Sequence, residues 1–301
     1  MLLSALCLRF LEKPEMTKSQ LTVFIIFAIV PVIPRPAQNP STDKGRGVLD
    51  GWIEAPSSKT NPALWECAGY GGSRVVSLQQ GAVRANELNF DETPDETAKE
   101  LPLPSYLKLS KEMNGRRSLL RTADGWLIGF DAGEFGGGLW WFNNDGSVVR
   151  KLLPLNVHSI LETPGGTFVL AGLAHLSLDN GEIDQFIDTE DQVTLKYVAN
   201  LGGSPETSTV DADGQIVVAT MRSVLRVDYA GKIHTLYNSG EDLTYPTSIV
   251  VGRNGDIFVA MRFFLLRLVP ESSEFKPQWL MPKKCQSFKI VKRICTCTGL
   301  E

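Results

Sequence analysis

Short apolar runs punctuated by glycine turns recur along most of this chain. In the clearest unit, residues 207–237, TSTVDA leads into a turn at Asp213-Gly214 and the apolar run QIVVA follows. VLRVD then reaches a second turn at Ala230-Gly231 before KIHTLY. This pattern predicts four short strands joined by hairpins. The same order recurs around Asp124-Gly125 (WLIGF, LWWF, Asp145-Gly146, SVVRKL) and around Gly165-Gly166 (TFVLA, LAHLSL, Asn180-Gly181, EIDQFI). It recurs once more around Asn254-Gly255 (DIFVA, FLLRLV, FKPQWL). The first-turn glycines stand at 125, 166, 214 and 255, so the spacings are 41, 48 and 41.

A four-stranded unit with this period predicts an all-β fold, a β-propeller of about five or six four-stranded blades. The second strands are nearly continuous apolar runs, as expected of strands covered on both faces by neighbouring blades. A sandwich would show cleaner alternation. Residues 45–89 are expected to hold a divergent unit, with WECAGY and RVVSLQQGAVRANEL as strands around Gln80-Gly81. The C-terminal CQSFKIVKRICTC is expected to help complete the ring. Residues 188–206 read as a long connection that explains the spacing of 48.

The opening differs in kind. Residues 21–33 form an apolar run behind Lys18, too short for a comfortable membrane span and suited to the core of a secretory signal. The expected organisation is a signal peptide or membrane anchor over 1–37, a linker over 38–47 and the propeller over 48–301. The chain is then secreted or periplasmic; left uncleaved, the same segment anchors it to a membrane. A net charge of −4 over 301 residues argues against a nucleic-acid partner, which needs a basic field.

Outside the leader stand Cys67, Cys285, Cys295 and Cys297. In an oxidising compartment they suggest two disulfides. Cysteines two apart on a strand pair poorly, so Cys67 is expected to bond Cys295 or Cys297 and Cys285 the one remaining. The long-loop bond would stabilise by about 4–5 kcal/mol in the chain-entropy model. A metal site from the C-terminal cysteines lacks a paired C-x-x-C or a histidine partner.

Hairpin turns of an up-and-down blade share one side of the disc, which leaves the looser connections on the other. Binding residues are expected on that loop face. The loop 132–138 presents Glu134 and Phe135; its glycines lack the Lys-Ser/Thr of a phosphate-binding loop. Arg222 and Arg262 follow Met221 and Met261 in matching places and would aim guanidinium groups at one rim, or else cap loop carbonyls. Tyr245 ends a blade-to-blade join, and His158 begins an inner strand that could face the channel. His175 and His234 fall on other strands, so no histidine cluster is expected. The acidic stretch 90–104 and Asp211-x-Asp213-Gly214 lack the oxygen count of a cation site, so no metal and no cofactor are expected.

Phrases such as SVLRVDYAGKIHTLY and PTSIVVGRNGDIFVAM, over about residues 117–280, resemble the propeller group of NHL-repeat proteins, the SMP-30/gluconolactonase family and virginiamycin B lyase. The resemblance is one of blade structure. It implies a binding scaffold for a protein or cell-envelope ligand, without catalysis of its own. The alternative it implies is a metal-dependent hydrolase or lyase acting at the central channel. The calcium-binding Glu, Asn and Asp set of the lactonases has no counterpart here residue by residue.

Overall fold

A computed structural model describes residues 49–87, 103–189, 192–240, 243–291 and 294–298. The leader, the linker and the acidic stretch up to residue 102 lie outside the described residues. Gly47 to Glu301 form one compact unit.

Strand β1 (Trp52–Glu54) is followed by helix α1 (Pro62–Ala68), then by the hairpin β2 (Arg74–Gln79) and β3 (Ala82–Glu87). Three four-stranded antiparallel sheets come next: β4 (Arg116–Arg121) to β7 (Val149–Leu153), β8 (Val157–Thr163) to β11 (Val193–Asn200), and β12 (Thr207–Val210) to β15 (Ile233–Asn238). Within them lie β5 (Gly125–Asp131), β6 (Gly137–Asn143), β9 (Gly166–His175), β10 (Leu178–Asp188), β13 (Ile216–Ala219) and β14 (Ser223–Val227). The last large sheet runs β16 (Ser248–Val251), β17 (Ile257–Ala260), β18 (Leu265–Glu271), β19 (Glu274–Pro282), with β1 added on the outside of β19. A separate hairpin, β20 (Phe288–Val291) and β21 (Ile294–Cys297), ends the fold.

The first strands β4, β8, β12, β16 and β2 neighbour one another in that order, so the molecule is a β-propeller with four complete blades and a two-stranded fifth. Its core is a series of seams between blades. Val217 of β13 packs with Ile257, Val259 and Leu266 of the next blade, while its neighbours Ile216 and Val218 pack with Phe168, Leu170 and Ile183 of the preceding one. Val169 and Ala171 meet Leu127, Leu139 and Trp141 across a further seam. Successive side chains of a strand point to opposite faces. Both faces are apolar here, which is why these strands read as unbroken apolar runs.

Inner strands of adjacent blades are stitched by hydroxyls. Ser159 Oγ and Ser208 Oγ are hydrogen-bonded at 2.5 Å, Ser248 Oγ accepts from Val76 N at 2.7 Å, and Thr247 Oγ1 donates to the Arg74 carbonyl.

Three expectations are corrected. WECAGY is not a strand: Asn61 caps α1, its side chain accepting from Leu64 N at 3.2 Å, with Pro62 at the first helical position. The Asn180-Gly181 pair is not a turn. It lies inside β10 opposite Leu173 and Gly172, the hairpin reverses instead at Leu176-Ser177, and the supposed long connection 188–206 contains the fourth strand β11. The two facing glycines mark close approach of Pro205, whose Cδ would lie 2.8 Å from a Cβ at either position. Finally, the extra strand on the last large blade comes from the N-terminal side, β1 outside β19, with Trp52 opposite Pro282. The C-terminal strands pair only with each other among the described residues.

The cysteines pair as Cys67–Cys295 and Cys285–Cys297, with Cα atoms 5.2 and 4.5 Å apart. The first bond fastens α1 to β21 across a sequence separation of 228.

Candidate functional site at the loop face

Because Gly125, Gly166, Gly214 and Gly255 turn the chain on one side, the ends of β5, β9, β13 and β17 all emerge on the other, beside the starts of the inner strands. There Asp131, the last residue of β5, accepts from Arg116 Nη2 at 3.1 Å through Oδ2 and from Gly133 N at 3.0 Å through Oδ1. A register shift between Val157 and Ser159 sits at His158, which is buried beside this pair. His158 Nδ1 lies 3.5 Å from Asp131 Oδ2 and 3.4 Å from Arg116 Nη2. Its Nε2 is 3.2 Å from both the Gly172 carbonyl and Ser204 Oγ. Ser204 N in turn donates to Asp179 Oδ1 at 2.7 Å.

Ser204, His158 and Asp131 thus mimic the order of a nucleophilic triad. Two facts deny them that chemistry. Ser204 is fully buried. The Gly172 carbonyl can only accept, so Nε2 carries the ring proton and cannot take one from Ser204. Burial pulls the His158 pKa below its ordinary value; the Asp131 charge opposes this and Arg116 reinforces it. A neutral imidazole is what Arg116, donating to Nδ1, requires. Burial raises the Glu206 carboxyl above its ordinary range; its hydrogen bond to Ser204 and the Arg116 charge oppose this, while Asp131 and Asp179 add to it.

Carboxylates do gather at this mouth, but they are committed. Asp131 serves Arg116 and the 133 turn, and Asp179 serves Ser204 N. Among the described residues no three His, Cys, Asp or Glu side chains are arranged to hold a metal ion. The donor set therefore does not fit the divalent ion of the hydrolase or lyase reading.

Outward of this network, Gly133–Phe135 form a 3-10 turn clamped by Asn156 Nδ2, which donates to the Gly133 carbonyl at 2.8 Å. Gly133 and Gly136 supply the left-handed backbone at φ 59° and 102° that the tight turn needs. Glu134 Oε2 meets His175 Nε2 at 2.9 Å, tying this turn to the tip of the β9–β10 hairpin in the next blade. The two tips present Phe135, 82% exposed, and Leu176, 94% exposed.

On the far side of the same face, the Arg262 guanidinium stacks 3.8 Å from the Tyr245 ring centroid and its Nη1 is 3.4 Å from the Gly69 carbonyl. Two predicted ligand residues thus hold each other. Arg222 is exposed at the start of β14, its carbonyl accepting from Ser239 N and Oγ. His158 is the predicted residue that the fold draws inward, whereas Glu134 and Phe135 stay at the rim. Sequence reasoning missed Arg116, Asp131, Asp179, Ser204 and Glu206, which are spread over ninety residues. The repeat register alone, which sets residues 116, 131 and 158 at strand ends on one side, contained a signal for them.

No protein-family profile matches the chain, and no curated protein matches its sequence. Solved structures similar to it include a gluconolactonase from Xanthomonas campestris, with 11% identity over 69% of this chain and 67% of that one and a TM-score of 0.35. A protein from Lactobacillus plantarum matches at 14% identity and TM-score 0.41, over 68% of this chain and 61% of its own. PorZ, a surface component of the type-IX secretion system of Porphyromonas gingivalis, matches at 14% identity and TM-score 0.41, over 58% of this chain and 29% of its own. In the last two cases this chain spans less than two thirds of the other. The propeller group suspected from the repeats is represented among these neighbours, at the level of fold alone.

Proposed function

We propose that this protein is an exported binding scaffold, which recognises a protein or cell-envelope ligand through the loop face of its propeller. The observation that carries the reading is the pair of apolar tips, Phe135 and Leu176, held almost fully exposed on two turns braced by the Glu134–His175 contact. Exposed aromatic and aliphatic anchors on a rigid support are the usual energetic centre of a recognition surface. Two disulfides suit an oxidising compartment and support export.

The test is retention of a partner from the envelope fraction by the immobilised protein, compared with the double variant Phe135→Ala, Leu176→Ala and with Glu134→Ala, Arg222→Ala and Arg262→Ala. A partner bound by the parent and lost with the apolar tips supports the reading. Equal retention by all variants, or none by the parent, overturns it.

A further inference from the structure

A second, separate cleft of about 670 Å³ opens between the end of β3 and the junction of β1 with β19, lined by Trp52, Arg74, Glu87, Lys283, Lys284 and Ser287 among others. Arg74 is the telling residue. Its side chain is only 3% exposed, yet it carries a permanent charge. Its backbone is fixed on both sides, Arg74 N donating to the Met261 carbonyl at 3.0 Å and its own carbonyl accepting from Thr247 Oγ1. The guanidinium spends one corner on the protein: Nη1 reaches Glu87 Oε1 at 2.8 Å and the Ser73 carbonyl at 3.5 Å. Nε is buried without a hydrogen-bond partner among the described residues.

The edge of a guanidinium that carries Nε and Nη2 is the fork that receives a carboxylate or a phosphate through two parallel hydrogen bonds. A buried donor left unmatched calls for a group that matches it. Around the cleft the charge is favourable. Glu87 is neutralised between Arg74 and Lys284, whose Nζ lies 3.5 Å from Glu87 Oε2. Lys283, on the turn that follows β19, brings a further ammonium to the cleft, against which stands Asp50 at the rim. Trp52 and Pro282 supply an apolar wall, and the volume suits a small molecule more than a single ion.

We infer that this cleft binds a small organic anion, its carboxylate or phosphate group seated on Arg74 and Lys283 and its body against Trp52. The site owes nothing to the apolar tips of the other loops and stands or falls separately from them.

The experiment titrates the full-length protein with citrate, with inorganic phosphate and with uncharged glycerol, following tryptophan fluorescence and repeating the citrate series by calorimetry. Citrate is expected to give a saturable signal that is absent from the fluorescence of Trp52→Phe, to weaken about tenfold in Lys283→Glu, and to weaken with added salt. A response to phosphate as strong as that to citrate would assign the site to phosphate-bearing molecules; a response to citrate alone would assign it to carboxylates. Both lysines are exposed, so Lys283→Glu and Lys284→Glu test the cleft without the folding risk of replacing Arg74. No saturable response to either anion, or a citrate affinity equal in the parent and Lys283→Glu, overturns the inference.

Discussion

Glu134 and His175 belong to different blades, 41 residues apart in sequence, and their side chains meet at 2.9 Å on the loop face. Each is close to half exposed, so the contact contributes at most about 1 kcal/mol to overall stability. Its effect is local: it fixes the two turns that carry Phe135 and Leu176. His175→Ala is therefore expected to leave the unfolding midpoint nearly unchanged and to speed amide exchange over residues 133–138. Unchanged exchange there would show that the Asn156 clamp and the glycine geometry fix the turn without help.

The two disulfides differ in what they constrain. Cys67–Cys295 spans 228 residues and Cys285–Cys297 spans 12. In the chain-entropy model these are worth about 5 and about 3 kcal/mol. Cys67→Ser is thus expected to lower stability more than Cys297→Ser in guanidinium unfolding, and chemical reduction to lower it most. Peptide mapping of the unreduced protein that found Cys67 free would contradict the pairing itself.

Asp184 is 4% exposed, with Oδ2 lacking a partner among the described residues. Burial, reinforced by Glu182, raises its pKa to about 6 from an ordinary 3.8. The folded chain therefore holds this proton more tightly than the unfolded chain. The resulting stabilisation is complete below about pH 4 and is lost as pH rises through about 6. Asp184→Asn is expected to match the parent near pH 4 and to exceed it by roughly 2 kcal/mol above pH 7, read from denaturant curves. A variant no more stable than the parent at neutral pH would show that the carboxylate is solvated.

His158 works in the opposite direction. Its pKa is pushed below the ordinary 6.5 by burial, so the unfolded chain takes up the proton first and stability declines as pH falls below about 6.5. His158→Gln is expected to flatten that decline. A slope identical to the parent's would mean that the imidazole is already charged in the fold.

Gly172 and Gly181 face each other in β9 and β10, with Pro205 pressed against both. Gly172→Ala sets a methyl group hard against the Asn180 carbonyl oxygen and 2.8 Å from Pro205 Cδ, and is expected to cost about 1–3 kcal/mol. Gly202→Ala meets no atom within 4 Å and is penalised only by its left-handed φ of 71°. A Gly172→Ala variant as stable as Gly202→Ala would show that the Asn180 backbone and Pro205 both yield.

The repeats and the continuous burial of strands such as β13 were legible in the sequence because they depend on local rules: a hairpin glycine every forty or so residues, and apolar side chains wherever both faces of a strand are covered. That Cys67 and Cys285 each bond one of Cys295 and Cys297 was legible for a similar reason, since cysteines two apart on a strand pair poorly, but which takes which was not. What the sequence alone left undetermined depends on contacts between distant residues. The glycine of Asn180-Gly181 serves a proline twenty-four residues away, and nothing nearby separates that use from a turn. His158 meets Asp131, Gly172 and Ser204 only when two blades and the join to a third come together, and the Arg74 backbone reaches Met261 and Thr247 only when β2 lies beside β16 and β17. Such placements are set by packing between blades, and the tertiary structure alone decides them.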